Sequence, residues 1–319
     1  MTKRIAWRIL QVGLAAVLVA LVARDLIRNW RQLTAEPPVW DVRLLPLLAA
    51  AVLTWSAYLG LIWSWRTLLA AWGRPIAPLA GARVWALASL GRYLPGKVWT
   101  IAGMALLSQR LGVPLWMSAV AAVLFQLVAI TTGIVASALT GGQLLSALEP
   151  SLRISTVGVA VAAAAAAVVI AMPPIFRRLV RMVPGAAEAD PPPVSALLIA
   201  GIANLGAWIC YGVAFWLVAE GTLPNARLDL PTAIAAYTTS YLIGFLAAFA
   251  PGGLGVRESV LIVVLRDAVG LGEAAALAIA SRFFITVVEL GFVLPFALLG
   301  RKAGASPTPE EEARSGEND

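Results

Sequence analysis

Long apolar segments constrain this chain more than any other feature of its sequence. A membrane-spanning helix needs about 20 predominantly apolar residues. Segments of this kind lie at 9–28, 44–71, 115–140, 153–172, 195–220 and 274–300. Only 13% of the 319 residues are charged, against about 25% in soluble domains, and 60% are hydrophobic. The sequence therefore predicts an all-α, polytopic integral membrane protein with about six spanning helices.

Two further apolar segments, 81–110 and 232–268, are each interrupted in the middle by proline and glycine. The interruptions are LPGK at 94–97 and APGGLG at 250–255. Each leaves two pieces that are too short to cross a bilayer. Non-helical backbone at membrane depth is tolerated only inside protein or beside a water-filled cavity. We therefore expect two re-entrant helical hairpins in addition to the spanning helices.

The two interruptions are related by their spacing and by the order of the segments after them. Pro95 and Pro251 lie 156 positions apart, and each interruption precedes a short helix, a turn and a long apolar helix. This order predicts two repeats, near 81–140 and 232–300. Because three predicted spans separate the hairpins, the repeats are predicted to be inverted, which is the pattern of transporters with a substrate site near the midplane.

Lysine and arginine residues flank the apolar segments unevenly. If the N terminus is cytoplasmic and both interrupted segments re-enter, more of the flanking cations fall on the cytoplasmic side, as the positive-inside rule requires. We therefore expect a single membrane domain over 1–302 in the cytoplasmic membrane of a bacterium or archaeon, with both termini cytoplasmic. The tail over 303–319 is acidic and polar, so it is predicted to be disordered. The first apolar segment is expected to be a retained helix rather than a cleaved signal peptide.

The composition excludes several classes of site. There is no histidine, and the single cysteine, Cys210, lies in an apolar segment. An intrachain disulfide, a histidine-based catalytic triad and a zinc site are therefore excluded. The formal charge of +7 is assigned to helix orientation and anionic lipid headgroups rather than to nucleic acid. We predict no catalytic residue, no metal and no cofactor.

A few ionisable residues lie deep in the apolar segments. Each costs roughly 2.5–3.5 kcal/mol on insertion scales, so such residues are expected to be paired or hydrated and to serve a function. They are Arg66, Arg92, Lys97, Arg257, Glu258, Arg282 and Glu289. Most lie beside the interruptions, where restarted helices present free N–H groups to anions. We expect Arg92 and Lys97 to bind a phosphate headgroup; the alternative is that both extend to the cytoplasmic surface.

The last apolar helix suggests how these charges pair. Arg282 and Glu289 are seven positions apart, hence on one face of the helix and two turns apart. We expect Arg282 to reach Glu258, whose other role is to cap the helix that it opens. Glu289 is then expected to bind either Arg66 or an amine of the substrate.

Aromatic and amide side chains provide weaker candidates. Trp85 and Trp99 lie around the first interruption and can line a path for acyl chains or stack on a sugar, although packing is the commoner role. For Asn204 and Gln126 the expected role is hydrogen bonding between helices.

Three motifs together resemble a known family. LGRYLPGKVW (90–99), APGGLGVRES (250–259) and SRFFITVVELG (281–291) are similar to motifs of the lysylphosphatidylglycerol synthase transmembrane-region family, also called the flippase-like domain family. The resemblance covers nearly the whole chain in helix order. This family includes the membrane half of bacterial enzymes that aminoacylate phosphatidylglycerol and move the product to the outer leaflet. Its stand-alone members are associated with export of lipids or lipid-linked glycans.

The resemblance and the buried charges together define the predicted substrate-binding residues. They are Arg92, Tyr93, Pro95, Gly96, Lys97, Trp99, Pro251, Gly252, Gly253, Gly255, Arg257, Glu258, Arg282 and Glu289. The resemblance also points to Gly291. The chain ends shortly after its last apolar helix, so we expect no soluble aminoacyl-transfer domain and no synthase activity.

The function predicted first is translocation of a phospholipid, an aminoacylated lipid or a lipid-linked glycan across the cytoplasmic membrane. Two alternatives stay open. One is a membrane-embedded glycosyl- or acyltransferase with Glu258 or Glu289 as its general base; the other is a non-transporting scaffold of a lipid-synthesis complex. The expected partners are membrane lipids, with separately encoded lipid-synthesis enzymes or a second copy of the chain as open alternatives.

Overall fold

The computed structural model describes residues 38–94, 98–141, 158, 161–162, 173–181, 185–186, 190–247 and 250–302. Among these residues there is no β-strand, so the predicted all-α class is confirmed for this part of the chain. The predicted helix at 9–28, the interruption residues 95–97, most of the predicted helix at 153–172 and the tail at 303–319 lie outside the described residues.

The structure gives the following α-helices in the described part of the chain. In chain order they are α1 (Leu44–Ala71), α2 (Pro78–Ser89), α3 (Val98–Gln109), α4 (Leu115–Thr140), α5 (Pro173–Val180), α6 (Val194–Thr222), α7 (Leu230–Leu246), α8 (Val256–Val269) and α9 (Leu271–Lys302). Proline starts several of them. Pro78 and Pro231 lie in the first turns of α2 and α7, where a backbone N–H has no intrahelical partner to lose.

Among the described residues, four helices are long and apolar enough to span a membrane: α1, α4, α6 and α9. Each coincides with a segment predicted from the sequence. Large apolar side chains on these helices point outward; Leu45, Ile202 and Phe283 are each at least 72% exposed. Soluble proteins rarely expose large contiguous apolar patches, so these surfaces are suited to contact with lipid.

Both segments that the sequence predicted to be interrupted are interrupted. The first consists of α2, a 3-10 turn at Leu90–Tyr93 and α3, and the second of α7, a 3-10 turn at Pro251–Gly253 and α8. Each is followed by a long helix, α4 or α9. The order of elements on which the predicted repeat rests is therefore observed, while the repeat and the re-entry of the hairpins stay predictions.

Helices α1 and α6 lie antiparallel and pack against each other. Near the start of α1, the Arg43 N–H donates to the Gly221 carbonyl oxygen at 2.9 Å. Near its other end, Trp72 Nε1 donates to the carbonyl oxygen of Asp190, just before α6, at 2.8 Å. The start of one helix is thus held to the end of the other at both ends of the pair.

Asn204 connects the same two helices in the interior. Its Nδ2 donates to Ser64 Oγ at 2.7 Å and to the Ala200 carbonyl oxygen at 2.8 Å, and both side chains are buried. The interhelical role predicted for Asn204 is therefore confirmed.

Small residues allow close approach between helices. A Cβ atom on Gly212 of α6 would lie 2.6 Å from the Cα atom of Ile234 in α7, so the two backbones are almost in contact there. Small residues have this role in membrane helix packing, where van der Waals contact drives association.

Gly212→Ala is expected to destabilise the helix bundle, because the new methyl group would meet backbone atoms that cannot swing away. Overpacking of this kind costs roughly 1–3 kcal/mol. Gly206→Ala in the same helix is the matched control: nothing lies within 4 Å of its added Cβ, and alanine is preferred to glycine inside a helix by about 0.5–1 kcal/mol. Thermal unfolding in detergent measures both variants, and equal unfolding midpoints would contradict the close approach of α6 and α7.

Candidate functional site

The two interruptions and α9 surround an internal space whose wall includes charged side chains. The 3-10 turns of the two interruptions contact each other, and a cavity of about 110 Å³ lies beside them. A second cavity of about 90 Å³ shares Arg92, Gln126 and Tyr241 with the first. We call the two adjoining volumes together the central cavity.

Glu289 of α9 is the carboxylate around which the first interruption is organised. It is buried. The Tyr93 hydroxyl donates to its Oε2 at 2.7 Å, and Arg92 Nε lies 3.4 Å from its Oε1. The Ser89 hydroxyl lies 3.5 Å from Oε1. These contacts attach the last helix to the turn that follows α2.

The prediction that Glu289 binds Arg66 is wrong. Arg66 Nε donates instead to the Ile76 carbonyl oxygen at 2.7 Å, at the connection between α1 and α2. The side chain of Arg66 also packs beside Gly81, where a Cβ would lie 2.6 Å from its Cδ. Arg66 therefore anchors a helix connection, and Arg92 takes the position beside Glu289.

Arg282 connects α9 to the second interruption. Its Nη1 donates to the Gly252 carbonyl oxygen at 3.1 Å and lies 3.6 Å from Glu258 Oε1. Glu258 Oε2 accepts a hydrogen bond from the Gly255 N–H at 2.7 Å. Both roles predicted for Glu258 are therefore observed: it caps α8 and pairs with Arg282.

The second interruption requires glycine at two adjacent positions. Gly252 and Gly253 have φ angles of +60° and +71°, in the left-handed region that residues with a Cβ disfavour. A Cβ on Gly252 would lie 3.2 Å from Arg282 Nη2, and one on Gly253 would lie 3.1 Å from the Gly244 carbonyl oxygen. The turn is thus packed directly against α7 and the Arg282 guanidinium.

Arg257 faces the central cavity from α8 and is only 6% exposed. Its Cζ lies 4.6 Å and 5.3 Å from the ring centroids of Tyr237 and Tyr241. Among the described residues, its Nη2 nitrogen has no hydrogen-bond partner, and no carboxylate forms an ion pair with it. Buried polar atoms are nearly always hydrogen-bonded, and this nitrogen is one of several exceptions among the described residues; it differs from the others in belonging to a charged donor.

All five tyrosines of the chain line the central cavity. They are Tyr58, Tyr93, Tyr211, Tyr237 and Tyr241. Only Tyr93 was predicted from the sequence. The positions of the other four tyrosines in the sequence could have identified them. They lie within helices α1, α6 and α7, whereas aromatic residues of the membrane interface lie near helix ends.

The structure brings half of the predicted site residues to the cavity wall. Those that line it are Arg92, Tyr93, Gly252, Gly253, Arg257, Arg282 and Glu289. Pro251 and Gly255 lie in the second interruption beside this wall, and Glu258 lies in the first turn of α8. Trp99 is 50% exposed and does not line the central cavity. Pro95, Gly96 and Lys97 lie outside the described residues.

The sequence model of the family described as Lysylphosphatidylglycerol synthase TM region matches residues 8–298. The chain belongs to this family. The resemblance inferred from the three motifs is therefore confirmed over nearly the whole chain, and the protein is an integral membrane protein related to lipid metabolism or transport. No curated protein matches the chain.

Glu289→Gln is expected to lower the thermal stability of the protein, because it removes the counter-charge of Arg92. Removing one partner of a buried pair costs about 3–5 kcal/mol. The side chain of Arg92 is 26% exposed, so we expect a smaller loss, about 1–3 kcal/mol. The double variant Arg92→Gln/Glu289→Gln is expected to lose less than the sum of the single losses. Thermal unfolding of the four proteins in detergent measures this coupling.

Asp41→Asn is the matched control for that cycle. Asp41 pairs with Arg43 at 2.7 Å, but both side chains are at least 50% exposed, and exposed pairs contribute about 0–1 kcal/mol. If Glu289→Gln is no more destabilising than Asp41→Asn, Glu289 does not hold α9 to the first interruption.

Proposed function

We propose that this protein is a lipid translocase, not an enzyme, and that it moves a lipid headgroup across the membrane through the central cavity. The observation that carries this proposal is the set of charged residues, Arg92, Arg257, Arg282 and Glu289, that face one cavity inside an apolar bundle. Charged groups at membrane depth are expensive and mark substrate pathways. A headgroup needs such a polar passage, while its acyl chains stay in the bilayer.

We further propose that the fold is an inverted repeat in which α1–α4 correspond to α6–α9. The packing of the helices supports this correspondence. Helix α2 packs against α9 and α7 against α4, while α1 packs against α6 and the two 3-10 turns against each other. A twofold axis between the repeats would exchange the α2–α9 contact with the α7–α4 contact. It would leave the α1–α6 contact and the contact between the two 3-10 turns unchanged. The substrate site of such repeats lies at their interface near the midplane.

The antiparallel arrangement of α1 and α6 supports re-entry of the first interrupted segment. Two antiparallel spanning helices are separated by an even number of membrane crossings. Helix α4 and the predicted helix at 153–172 account for two crossings, and a third by α2 and α3 would make α1 and α6 parallel. We therefore assign α2 and α3 to a hairpin that enters and leaves on one side. By the repeat, α7 and α8 form its inverted counterpart.

The two alternatives make different demands on Glu258 and Glu289. A glycosyl- or acyltransferase needs a carboxylate that is available as a general base, but both carboxylates already accept hydrogen bonds and lie beside arginines. That arrangement favours a binding role.

A scaffold in a complex of lipid-synthesis enzymes, or a homo-oligomer without transport, would tolerate neutralisation of these charges. We place the protein in the cytoplasmic membrane of a bacterium or archaeon, with both termini cytoplasmic and membrane lipids as its partners.

Purified protein in liposomes that contain a phospholipid with a fluorescent acyl chain is expected to speed exchange between leaflets. Dithionite, which quenches only the outer leaflet, reports that exchange, with and without an imposed proton gradient. Glu258→Gln is expected to slow it at least about tenfold, the effect of ~1.4 kcal/mol on a barrier, because Arg282 loses its counter-charge.

Asp267→Asn is the control variant, since the side chain of Asp267 is 70% exposed, and it is expected to keep the wild-type rate. If the rate of exchange between leaflets is the same in liposomes with and without protein, under every gradient tested, translocation is ruled out. A wild-type rate in Glu258→Gln would remove that carboxylate from the mechanism.

A further inference from the structure

This inference rests on the proposed function. We infer that the headgroup which enters the central cavity is small and carries a net negative charge on its phosphodiester. Arg257 binds the phosphate of that headgroup. The inference selects an anionic phospholipid from the lipid classes that the proposed function admits.

The charged groups around the central cavity are not balanced. Arg92 pairs with Glu289, and Arg282 pairs with Glu258. Arg257 is the third guanidinium, and no third carboxylate faces it among the described residues. The cluster therefore carries one excess positive charge, which a ligand with one negative charge would neutralise.

The tyrosine rings beside Arg257 do not replace such a ligand. A cation–π contact contributes about 0.5–2 kcal/mol, whereas the effective penalty for burying an ion is several kcal/mol. The rings also leave Nη2 without a hydrogen-bond acceptor. Phosphate oxygens are acceptors with the geometry that a guanidinium group matches best, so a phosphodiester satisfies both the charge and the donor.

The size of the central cavity selects against a glycan. Its two parts measure about 110 Å³ and 90 Å³, below the roughly 300–1,000 Å³ of pockets that hold drug-sized ligands. A volume of this order suits a phosphate with a small alcohol rather than an oligosaccharide.

An aminoacylated headgroup is disfavoured for an electrostatic reason. It would bring an ammonium group into a space that already holds an unbalanced guanidinium, and like charges repel strongly at low dielectric. Both carboxylates that could receive the ammonium are occupied by arginines.

Headgroup selectivity in proteoliposomes tests the inference. Phosphatidylglycerol with a fluorescent acyl chain is expected to change leaflets at least about tenfold faster than phosphatidylethanolamine labelled in the same way, a difference of ~1.4 kcal/mol. Arg257→Gln is expected to abolish this preference, and Arg257→Lys, which keeps the charge but loses the planar fork, to retain part of it. Equal rates for the two lipids in the wild-type protein would overturn the inference.

Gln126→Glu is a second variant that keeps Arg257 in place. Gln126 lines the same cavity, so its replacement supplies the missing negative charge without removing the buried guanidinium. We expect it to reduce the preference for phosphatidylglycerol even if Arg257→Gln fails to fold. A preference that survives Gln126→Glu unchanged would contradict the charge argument.

Ligand-induced thermal stabilisation in detergent separates failure of this inference from failure of the proposed function. Phosphatidylglycerol is expected to raise the unfolding midpoint of the wild-type protein and of Asp267→Asn, but not that of Arg257→Gln. Equal stabilisation by phosphatidylethanolamine would overturn the inference, and equal stabilisation by inorganic phosphate alone would assign the site to a soluble anion and not to a lipid. Selective binding of phosphatidylglycerol without leaflet exchange would support the inference and overturn the proposed function.

Discussion

The contact of Glu289 with Arg92 and Tyr93 is the interaction on which the rest of the site depends. A carboxylate buried in a membrane protein requires donors, and the first interruption provides them through a hydroxyl at 2.7 Å and a guanidinium at 3.4 Å. Two turns away on the same helix, Arg282 donates to the Gly252 carbonyl oxygen in the second interruption. Helix α9 is therefore attached to both helix breaks, and the cavity exists between those attachments.

The helix breaks provide free backbone carbonyl oxygens, which unbroken helices cannot. A continuous helix uses its carbonyl oxygens internally, whereas the turn at Pro251–Gly253 leaves the Gly252 carbonyl oxygen available to Arg282. The positive φ angles of Gly252 and Gly253 bring that turn against α7 and Arg282. Tyrosines from three helices complete the wall. Their rings pack like other apolar side chains, while their hydroxyl groups keep the cavity polar.

The sequence was sufficient for features that depend on local pattern. Apolar length predicted α1, α4, α6 and α9, and the Pro-Gly pairs predicted both breaks. The Arg282–Glu258 pair was also predictable, because so few charges lie in apolar segments. Features that depend on how each helix is rotated about its axis could not be predicted from the sequence. Arg66 was one of two partners expected for Glu289, although its side chain donates to the Ile76 carbonyl oxygen. The convergence of Tyr58, Tyr211, Tyr237 and Tyr241 requires three helices to be placed. That Arg257 has no ion pair among the described residues is seen only once Glu258 is found beside Arg282.

Helix α9 has a second face whose position has a consequence for the site. About a quarter turn around the helix from the attachments to the two breaks, its surface carries Ile279, Phe283 and Leu290, which are 68%, 73% and 47% exposed. In a bilayer these side chains are solvated by acyl chains, so membrane thickness and lateral pressure act on this helix directly. Because Arg282 and Glu289 lie in one continuous helix, a tilt of that helix would shift both charged contacts together. The thickness and lateral pressure of the membrane would in this way affect the geometry of the central cavity.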